Sequence, residues 1–562
     1  MTDDVVGGLD EPDRLQPEQG ALALASPEDD WSRADWEEAA AGVLRRSGRL
    51  SGDDADGAVW AALTRSTYDG VSVPPLGTPD LLVGLSTAGR PTRVGDWDVR
   101  TLNRGDNAAA LQDLENGATS LWLDADDVDS ALEGVLLDLA PVVLEGGTPE
   151  RARALLALAG AVELPGATNL GADPIGARVR GRASGHDEET AVEVARMAHD
   201  RRVRGIVVDA TCVHDLGASD AQEIGYSLAA GAAYLRLLTE SGLSVDDAAR
   251  LMEFRYAATD EELPTIAKLR AARRCWARVL ELCGTSGEQR QHAVTSRPML
   301  SAYDPWVNML RGTVAAFAAG VGGADAVTVL PFDSPLGEPD AFGRRIARNT
   351  SALLIEESHV ATVTDPAGGA YAVEKLTDDL AVAAWELFGR LDEGADLDAL
   401  VAETVAARDR EVATRQRPLT GLSEFPDLAE TVLVRPPARE ADVRRYGVAF
   451  EALRDDPVAE PVLLAPLGTV AQHTARATFA TNLLAAGGIT VESDASGSPR
   501  VACVVGTDAA YAEEGAERAA ALREAGVTWV IVAGKPLEWA DDACAMGVDA
   551  IDFLTRTRER LA

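Results

Sequence analysis

The feature that most constrains the fold is an alternation of short apolar segments with longer helical segments from about residue 68 to 400. No dinucleotide-binding glycine pattern accompanies it. Such an alternation over more than 300 residues predicts a closed (β/α)8 barrel rather than an open sheet. The predicted strands are 119–123, 141–144, 205–210 and 324–330, and the predicted helices are 218–241, 260–283, 304–320 and 338–358.

A second α/β unit is predicted over residues 461–562. Its interleaved strands and helices favour a flavodoxin-like domain. Only residues 493–500 separate its second and third strands, whereas a parallel crossover needs about a dozen residues. Either a helix is deleted there, or that edge of the sheet pairs differently. The predicted strands are 461–465, 489–492, 501–505, 527–533 and 550–553, and the predicted helices are 472–485, 509–525 and 537–545.

The remaining segments are an N-terminal part, 1–67, and a charged helical linker, 401–460. Within the first, an acidic arm precedes an amphipathic helix that Ser26 can cap. Trp31 falls off the apolar stripe of this helix. The helix docks either on its own core or on a partner, and both alternatives stay open. The stripe comprises Trp36, Ala39, Ala40 and Val43.

Composition excludes several classes of protein. The 562 residues include 52 basic and 91 acidic side chains, a net charge of −39, so a duplex-binding surface is not expected. No run of 18 apolar residues predicts a membrane span, and the acidic N-terminus does not resemble a signal peptide, which favours a cytoplasmic protein. The five cysteines and six histidines are scattered, so neither a disulfide framework nor a metal site is predicted.

Four segments together carry a family resemblance. They are IAKLRAARRCWARVLE (266–281), DPWVNMLRGTVAAFAAGVGGADAV (304–327), FGRRIARNTSALLIEES (342–358) and DPAGGAYAVEKLT (365–377). This series resembles the acyl-CoA mutase barrel of the adenosylcobalamin-dependent methylmalonyl-CoA mutases. The resemblance implies an arm with a helix that contacts another subunit (1–67), a TIM barrel (68–400), a linker (401–460) and a cobalamin-binding-type domain (461–562).

The cobalamin loop of this family is degenerate here. In the family, an Asp-x-His-x-x-Gly loop follows the first strand of the C-terminal domain, and its His coordinates cobalt. The matching positions hold Val470, Gln472 and Ala475. A shift by one residue, to use His473, does not restore the motif. The resemblance therefore implies that this chain binds no cobalamin.

Catalytic positions of the barrel are also altered. The family's substrate-binding His matches Cys212, and His214 lies two residues away, about 7 Å along an extended chain. A second stretch carries Thr328 and Leu330 where catalytic members have His and Asn. We expect a barrel centre that has lost polar groups in this way to pack on itself.

A further family stretch is partly retained. Arg290 and His292 match, whereas Ala293 and Val294 replace its Ser and Gln. The retained pair is a possible contact for a CoA phosphate.

A family framework with altered catalytic positions resembles the small, non-catalytic subunit of heterodimeric mutases, and Asn169–Pro174 resembles a loop of that subunit. By this resemblance, a large catalytic partner would hold adenosylcobalamin and interconvert (R)-methylmalonyl-CoA and succinyl-CoA. Two alternatives remain: a diverged stand-alone acyl-CoA mutase that uses a separate cobalamin-binding chain, and a CoA-binding regulatory module.

Overall fold

A computed structural model describes residues 30–85, 89–182, 187–438, 443–493 and 499–562. The chain divides into two units. The first is the described part of Met1–Ser66 with Ser72–Leu76, and the second comprises Thr67–Val71 and Gly77–Ala562. The elements of the first unit are helices α1 Arg33–Arg46 and α2 Val59–Leu63 and the antiparallel strands β1 Arg65–Ser66 and β2 Ser72–Val73.

Helix α1 begins later than predicted. Its N-cap is Ser32, which forms a capping box with Asp35. Ser26 lies outside the described residues. Trp31 precedes the helix and is exposed, so the predicted placement of this residue on the helix is wrong. The helix ends at Arg46, and Gly48 follows with a positive φ of 73°.

The apolar face of α1 is also rotated from the predicted stripe. Ala39 and Val43 are exposed, whereas Ala41 and Leu44 are buried. The buried face packs against α2, because Trp36 meets Trp60 with ring centroids 4.9 Å apart. The unit therefore has a small core of its own.

The second unit contains the predicted barrel. Eight parallel strands close on themselves, and β10 pairs with both β3 and β9. The fold class is therefore confirmed as α/β with a closed eight-stranded barrel. The strands are β3 Asp98–Asn103, β4 Ser120–Leu123, β5 Val142–Leu144, β6 Asn169–Ala172, β7 Arg204–Asp209, β8 Met252–Ala258, β9 Gln291–Thr295 and β10 Ala326–Thr328.

Helices cover the outside of the barrel. Close packing depends on small residues; a Cβ at Gly231, for example, would lie 2.9 Å from the Trp276 ring. The helices are α3 Asn107–Glu115, α4 Val128–Ala131, α5 Pro149–Ala159, α6 Pro174–Val179, α7 Glu188–Arg201, α8 Thr211–Asp215, α9 Asp220–Glu240, α10 Val245–Arg250, α11 Glu262–Leu282, α12 Val307–Val321, α13 Ala341–Ala352 and α14 Tyr371–Asp392.

The segment predicted as a helical linker is only partly helical. Helices α15 (Leu397–Ala413) and α16 (Val448–Asp455) occupy its ends, and the described chain between them is irregular. Leu422 and Phe450 are fully buried in a core shared with the C-terminal domain. These two contacts anchor the segment to the C-terminal domain.

The C-terminal domain is a five-stranded parallel sheet in the order β12-β11-β13-β14-β15. Its strands are β11 Val462–Pro466, β12 Val491–Glu492, β13 Val501–Val505, β14 Trp529–Ala533 and β15 Asp542–Cys544. Its helices are α17 Val470–Ala486, α18 Asp508–Ala510, α19 Ala516–Glu524 and α20 Ala550–Leu561.

Two predicted elements of this domain are wrong. The predicted strand 550–553 is the first turn of α20, which Asp549 caps by accepting from the Asp552 amide. The predicted helix 537–545 instead contains strand β15. Strands β12 and β13 lie on either side of β11, and both pair with it in parallel. Most of the short connection between them, residues 494–498, lies outside the described residues.

Candidate functional site

The interior of the barrel carries charged side chains in layers. Alternate residues of a strand point to the same side, so inward positions of neighbouring strands meet at similar heights. Near the amino ends of the strands, Arg100 donates to Glu253 at 2.7 Å and Arg290 donates to Asp98 at 2.8 Å. Burial acts to raise the pKa of Glu253, but the guanidinium groups of Arg100 and Arg290 outweigh it and hold the pKa low.

The middle layer centres on His292, which is fully buried. Its Nε2 lies 2.8 Å from the Thr328 hydroxyl, and its Nδ1 accepts from Arg255 Nε at 3.2 Å. Trp122 meets the ring edge-on at 5.5 Å. Burial and the surrounding guanidinium groups hold the pKa of His292 well below its usual value, so the imidazole is neutral.

The upper layer lies at the carboxyl ends of the strands. Arg255 donates to Glu145 at 2.7 Å and to Asp209 at 3.4 Å, and Arg180 bridges Asp209 at 2.9 Å and Asp215 at 3.1 Å. Burial alone would raise the pKa of Asp209, but the two arginines hold it well below its usual value. The family's polar groups at Ala293, Val294 and Leu330 are lost, but the centre does not pack through apolar contacts alone, because ion pairs between distant residues fill it.

Arg290 and His292 do not form a common surface. Asp98, Glu253 and Asp325 surround the Arg290 guanidinium at 2.8, 3.2 and 3.8 Å. Burial acts against the charge of Arg290, yet these carboxylates raise its pKa above the usual value. This geometry argues against a phosphate contact, because Arg290 is already neutralised and His292 is inaccessible and uncharged.

Cys212 and His214 lie in the short helix α8 rather than in extended chain, so the 7 Å displacement expected between the two positions does not apply. Two residues along a helix turn the side chain by about 200°. Burial raises the pKa of the Cys212 thiol well above its usual value, so the thiol stays protonated. His214 Nε2 instead lies 2.7 Å from the Ser296 hydroxyl.

Thr328 and Leu330 occupy different surroundings. Thr328 is bound to His292, whereas Leu330 lines a cavity of about 560 Å³ at the carboxyl ends of the strands. The carboxyl ends of a barrel's strands are the usual position of its active site. Trp122, Arg180 and Arg297 also line this cavity.

The positions of the family's cobalamin loop form the start of helix α17. Val470 is the first helical residue and is 73% exposed. Gln472 Oε1 accepts from the Thr469 amide at 2.7 Å and from its hydroxyl at 2.9 Å, which completes a capping box. Ala475 is exposed one turn later. None of the three supplies an imidazole, and the Gln472 amide oxygen is already bonded.

His473 does not replace the missing ligand. Its side chain lines an open groove between α17 and Pro426. The neighbouring positions Ala471 and Arg476 supply neither a carboxylate partner nor a glycine.

The loop after β6 adds a buried acid. Asp173 caps α6 by accepting from the Gly176 amide at 3.0 Å, and it accepts from the Tyr234 hydroxyl at 2.5 Å. Burial raises the pKa of Asp173 to about 7, and the nearby Asp209 carboxylate adds to the rise. The Asp173 carboxyl group, which caps α6, therefore stays protonated at mildly acidic pH.

The charged residues that fill the barrel, chiefly Glu145, Asp209 and Arg255, were not predicted from the sequence. One available signal was a charge within or directly after an apolar strand, as in IVVD (206–209). In the described ranges, no group of three or more His, Cys, Asp or Glu side chains is arranged to hold a metal ion. None of the described helices is long and apolar enough to cross a membrane.

Comparison with known proteins gives a consistent result. A protein family described as "Methylmalonyl-CoA mutase" matches residues 191–455. The chain is 43% identical to "Methylmalonyl-CoA mutase small subunit" of Streptomyces virginiae, over 97% of this chain and 99% of that protein. It is 34% identical to the protein of the same name from Propionibacterium freudenreichii subsp. shermanii, over 89% and 90%. The bovine "Methylmalonyl-CoA mutase, mitochondrial" is 34% identical over 39% of this chain and 30% of its own length.

Proposed function

The chain belongs to the methylmalonyl-CoA mutase family, and from this premise we propose that it is the non-catalytic small subunit of a heterodimeric, adenosylcobalamin-dependent mutase. It stabilises a large subunit, which interconverts (R)-methylmalonyl-CoA and succinyl-CoA. Relatives named as small subunits that match almost the whole chain support this assignment.

The observation that carries the proposal is the start of α17. The family resemblance requires an imidazole there to coordinate cobalt. In this chain the position is Gln472, whose side chain is committed to a capping box with Thr469. The segment therefore does not fit cobalamin, and we assign adenosylcobalamin to the large subunit alone.

The barrel centre supports the same assignment. A substrate that passed along the barrel axis would have to displace ion pairs such as Arg100–Glu253, whose side chains have no exposed surface. Leaving a buried charge without its partner costs about 3–5 kcal/mol. The charged layers thus act as a structural core in place of a substrate channel.

We also propose the domain arrangement that the sequence predicted. Residues 1–67 form the subunit-contacting arm and helix, 68–400 the mutase-type barrel, 401–460 the connecting segment and 461–562 a degenerate cobalamin-binding-like domain. The strand order β12-β11-β13-β14-β15 corresponds to second-first-third-fourth-fifth, which is the flavodoxin-like order.

Co-expression of this chain with the large subunit of the same organism tests the proposal. We expect the two chains to purify together in equal amounts, with cobalamin absorbance that follows the large chain when the two are separated. Failure to purify together would contradict the subunit role, and cobalamin retained by the separated small chain would contradict the cofactor assignment.

A further inference from the structure

The carboxyl edge of the C-terminal sheet is the position at which a domain of this type would bind a ligand. Open α/β sheets bind their ligands outside the carboxyl ends of the strands, where the strand order reverses. In this sheet the reversal lies between β11 and β13, because β12 follows β11 on one side and β14 follows β13 on the other. The loops after β11 and β13 therefore border the expected crevice.

These two loops approach each other closely. A Cβ at Gly506, the residue after β13, would lie 3.0 Å from the Cβ of Leu467, the residue after β11. Leu467 is itself buried. The absence of a side chain at Gly506 permits this close packing. Protein atoms therefore fill the base of the crevice.

Tyr511 fills the neighbouring part of the edge. Its side chain is buried, and its hydroxyl accepts from the Gly506 amide at 2.9 Å and donates to the Ala533 carbonyl at 2.8 Å. Gly506 directly follows β13, and Ala533 is the last residue of β14. The hydroxyl thus connects the carboxyl ends of these two strands.

Arg476 crosses the crevice next to this tyrosine. It lies in the second turn of α17, which follows β11, and it donates to the Gly506 carbonyl at 2.9 Å and to Asp508 at 2.5 Å, both of which follow β13. Its guanidinium also lies over the Tyr511 ring, 4.9 Å from the centroid. A Cβ at Gly534, directly after β14, would lie 3.3 Å from Arg476 Nη1. We call the contact of Arg476 with Gly506 and Asp508 the Arg476 bridge.

We infer that the Arg476 bridge closes this crevice to cobalamin, independently of the missing cobalt ligand. This inference rests on the proposed function, in which the chain carries no cobalamin. Gln472 accounts for the missing imidazole, whereas Arg476 occupies the space between the loops after β11 and β13. A cofactor that entered there would have to displace the guanidinium from a carbonyl and a carboxylate.

The bridge can be removed without removing the core of the domain. The side chain of Asp508 is 86% exposed, and that of Arg476 is 31% exposed. An ion pair with so exposed a carboxylate contributes little to stability. We therefore expect Arg476→Ala to leave the full chain folded.

The test restores the family's loop by Val470→Asp, Gln472→His and Ala475→Gly in the full chain, with and without Arg476→Ala. Equilibrium dialysis measures the binding of hydroxocobalamin to each lone chain, and thermal unfolding shows whether each chain is folded. We expect the restored loop to bind cobalamin at least about tenfold more tightly when Arg476→Ala is also present.

Arg523→Ala is the matched control on the restored loop. Arg523 forms a partly exposed ion pair with Asp541 at 2.9 Å in the same domain, and its removal should give no gain in cobalamin binding. Equal binding with and without Arg476→Ala, including no binding in either case, would overturn the inference. Cobalamin binding by the unaltered lone chain would instead contradict the proposed function.

A second measurement does not require the altered loop to fold. Amide hydrogen exchange of the segment 505–512 is compared between the wild type and Arg476→Ala in the otherwise unaltered chain. We expect exchange about tenfold faster in Arg476→Ala, because loss of the guanidinium opens the edge of the sheet to water, and no change in Arg523→Ala. Unchanged exchange in Arg476→Ala would show that the bridge does not cover the crevice and would overturn the inference.

Discussion

Substitution of Glu253 should lower the stability of the whole barrel. It has no exposed surface and accepts from both Arg100 and Arg290. Removing one member of a buried ion pair leaves an uncompensated charge. We expect Glu253→Gln to lower the free energy of unfolding by about 3–5 kcal/mol, as measured by urea denaturation.

Glu193→Gln is the control for this prediction. Glu193 pairs with Arg153, and the side chains of both residues are about half exposed. An exposed pair of this kind contributes roughly 0–1 kcal/mol. If the two substitutions had similar small effects, the charged layers would not be the core that we describe.

Asp173 should give the chain a characteristic pH dependence. Because the pKa of this buried carboxyl is raised to about 7 in the folded protein, the proton favours folding. That contribution is fully present below the unfolded pKa of about 3.9 and is lost as pH rises through 7. We therefore expect Asp173→Asn to become more stable relative to the wild type as pH rises from 5 to 8, by at most about 1.4 kcal/mol per pH unit. Urea unfolding at several pH values measures this difference in the free energy of unfolding between the variant and the wild type.

Asp127 provides the matched control. It caps α4 through Ser130, but hydrogen bonds from Ser130 lower its pKa, so its contribution is already complete at pH 5. The difference in the free energy of unfolding between Asp127→Asn and the wild type should stay constant from pH 5 to 8. A constant difference for Asp173→Asn as well would show that Asp173 is ionised throughout this range.

The sequence located the altered positions Cys212, Thr328 and Leu330, but it could not predict their surroundings. Which carboxylate pairs with Arg255 depends on strands that lie 110 residues apart in the chain for Glu145 and 46 for Asp209. No local pattern encodes such pairings. The ion pairs that fill the barrel centre were therefore not predicted, although the altered positions were identified correctly.

At the scale of the element, α17 allows a direct test of the capping box. Gln472→Ala removes the side chain that bonds to Thr469, whereas Gln472→Glu retains a capping residue at the same position. We expect the Ala variant to lose about 0.5–1 kcal/mol in urea unfolding and the Glu variant to resemble the wild type. Equal stability of all three proteins would remove the structural reason that we give for Gln472.

Elements with long periodic patterns were predicted well, and short ones were not. Helices α9 and α11 match the predicted ranges within two residues at each end. The sequence predicts a strand over 550–553 wrongly, because a short apolar segment has no period that distinguishes a strand from a helix. The segment forms the first turn of a helix because Asp549, directly before it, caps the helix. The apolar stripe predicted for α1 was also wrong, because the position of α2 determines which face of α1 is buried.

At the scale of the molecule, the alternation of strands and helices was sufficient to predict the closed barrel. The net charge of −39 remains a property of the surface. The partner does not follow from the fold, since related barrels serve different roles.

The central claim is that this chain contributes stability and not catalysis to the mutase. Methylmalonyl-CoA turnover, with adenosylcobalamin added, measures it most directly when the lone chain, the large subunit alone and the assembled pair are compared. We predict no turnover above background for the lone chain and full turnover for the pair, with the large subunit alone less active or less stable. Turnover of methylmalonyl-CoA by the lone chain would contradict the claim.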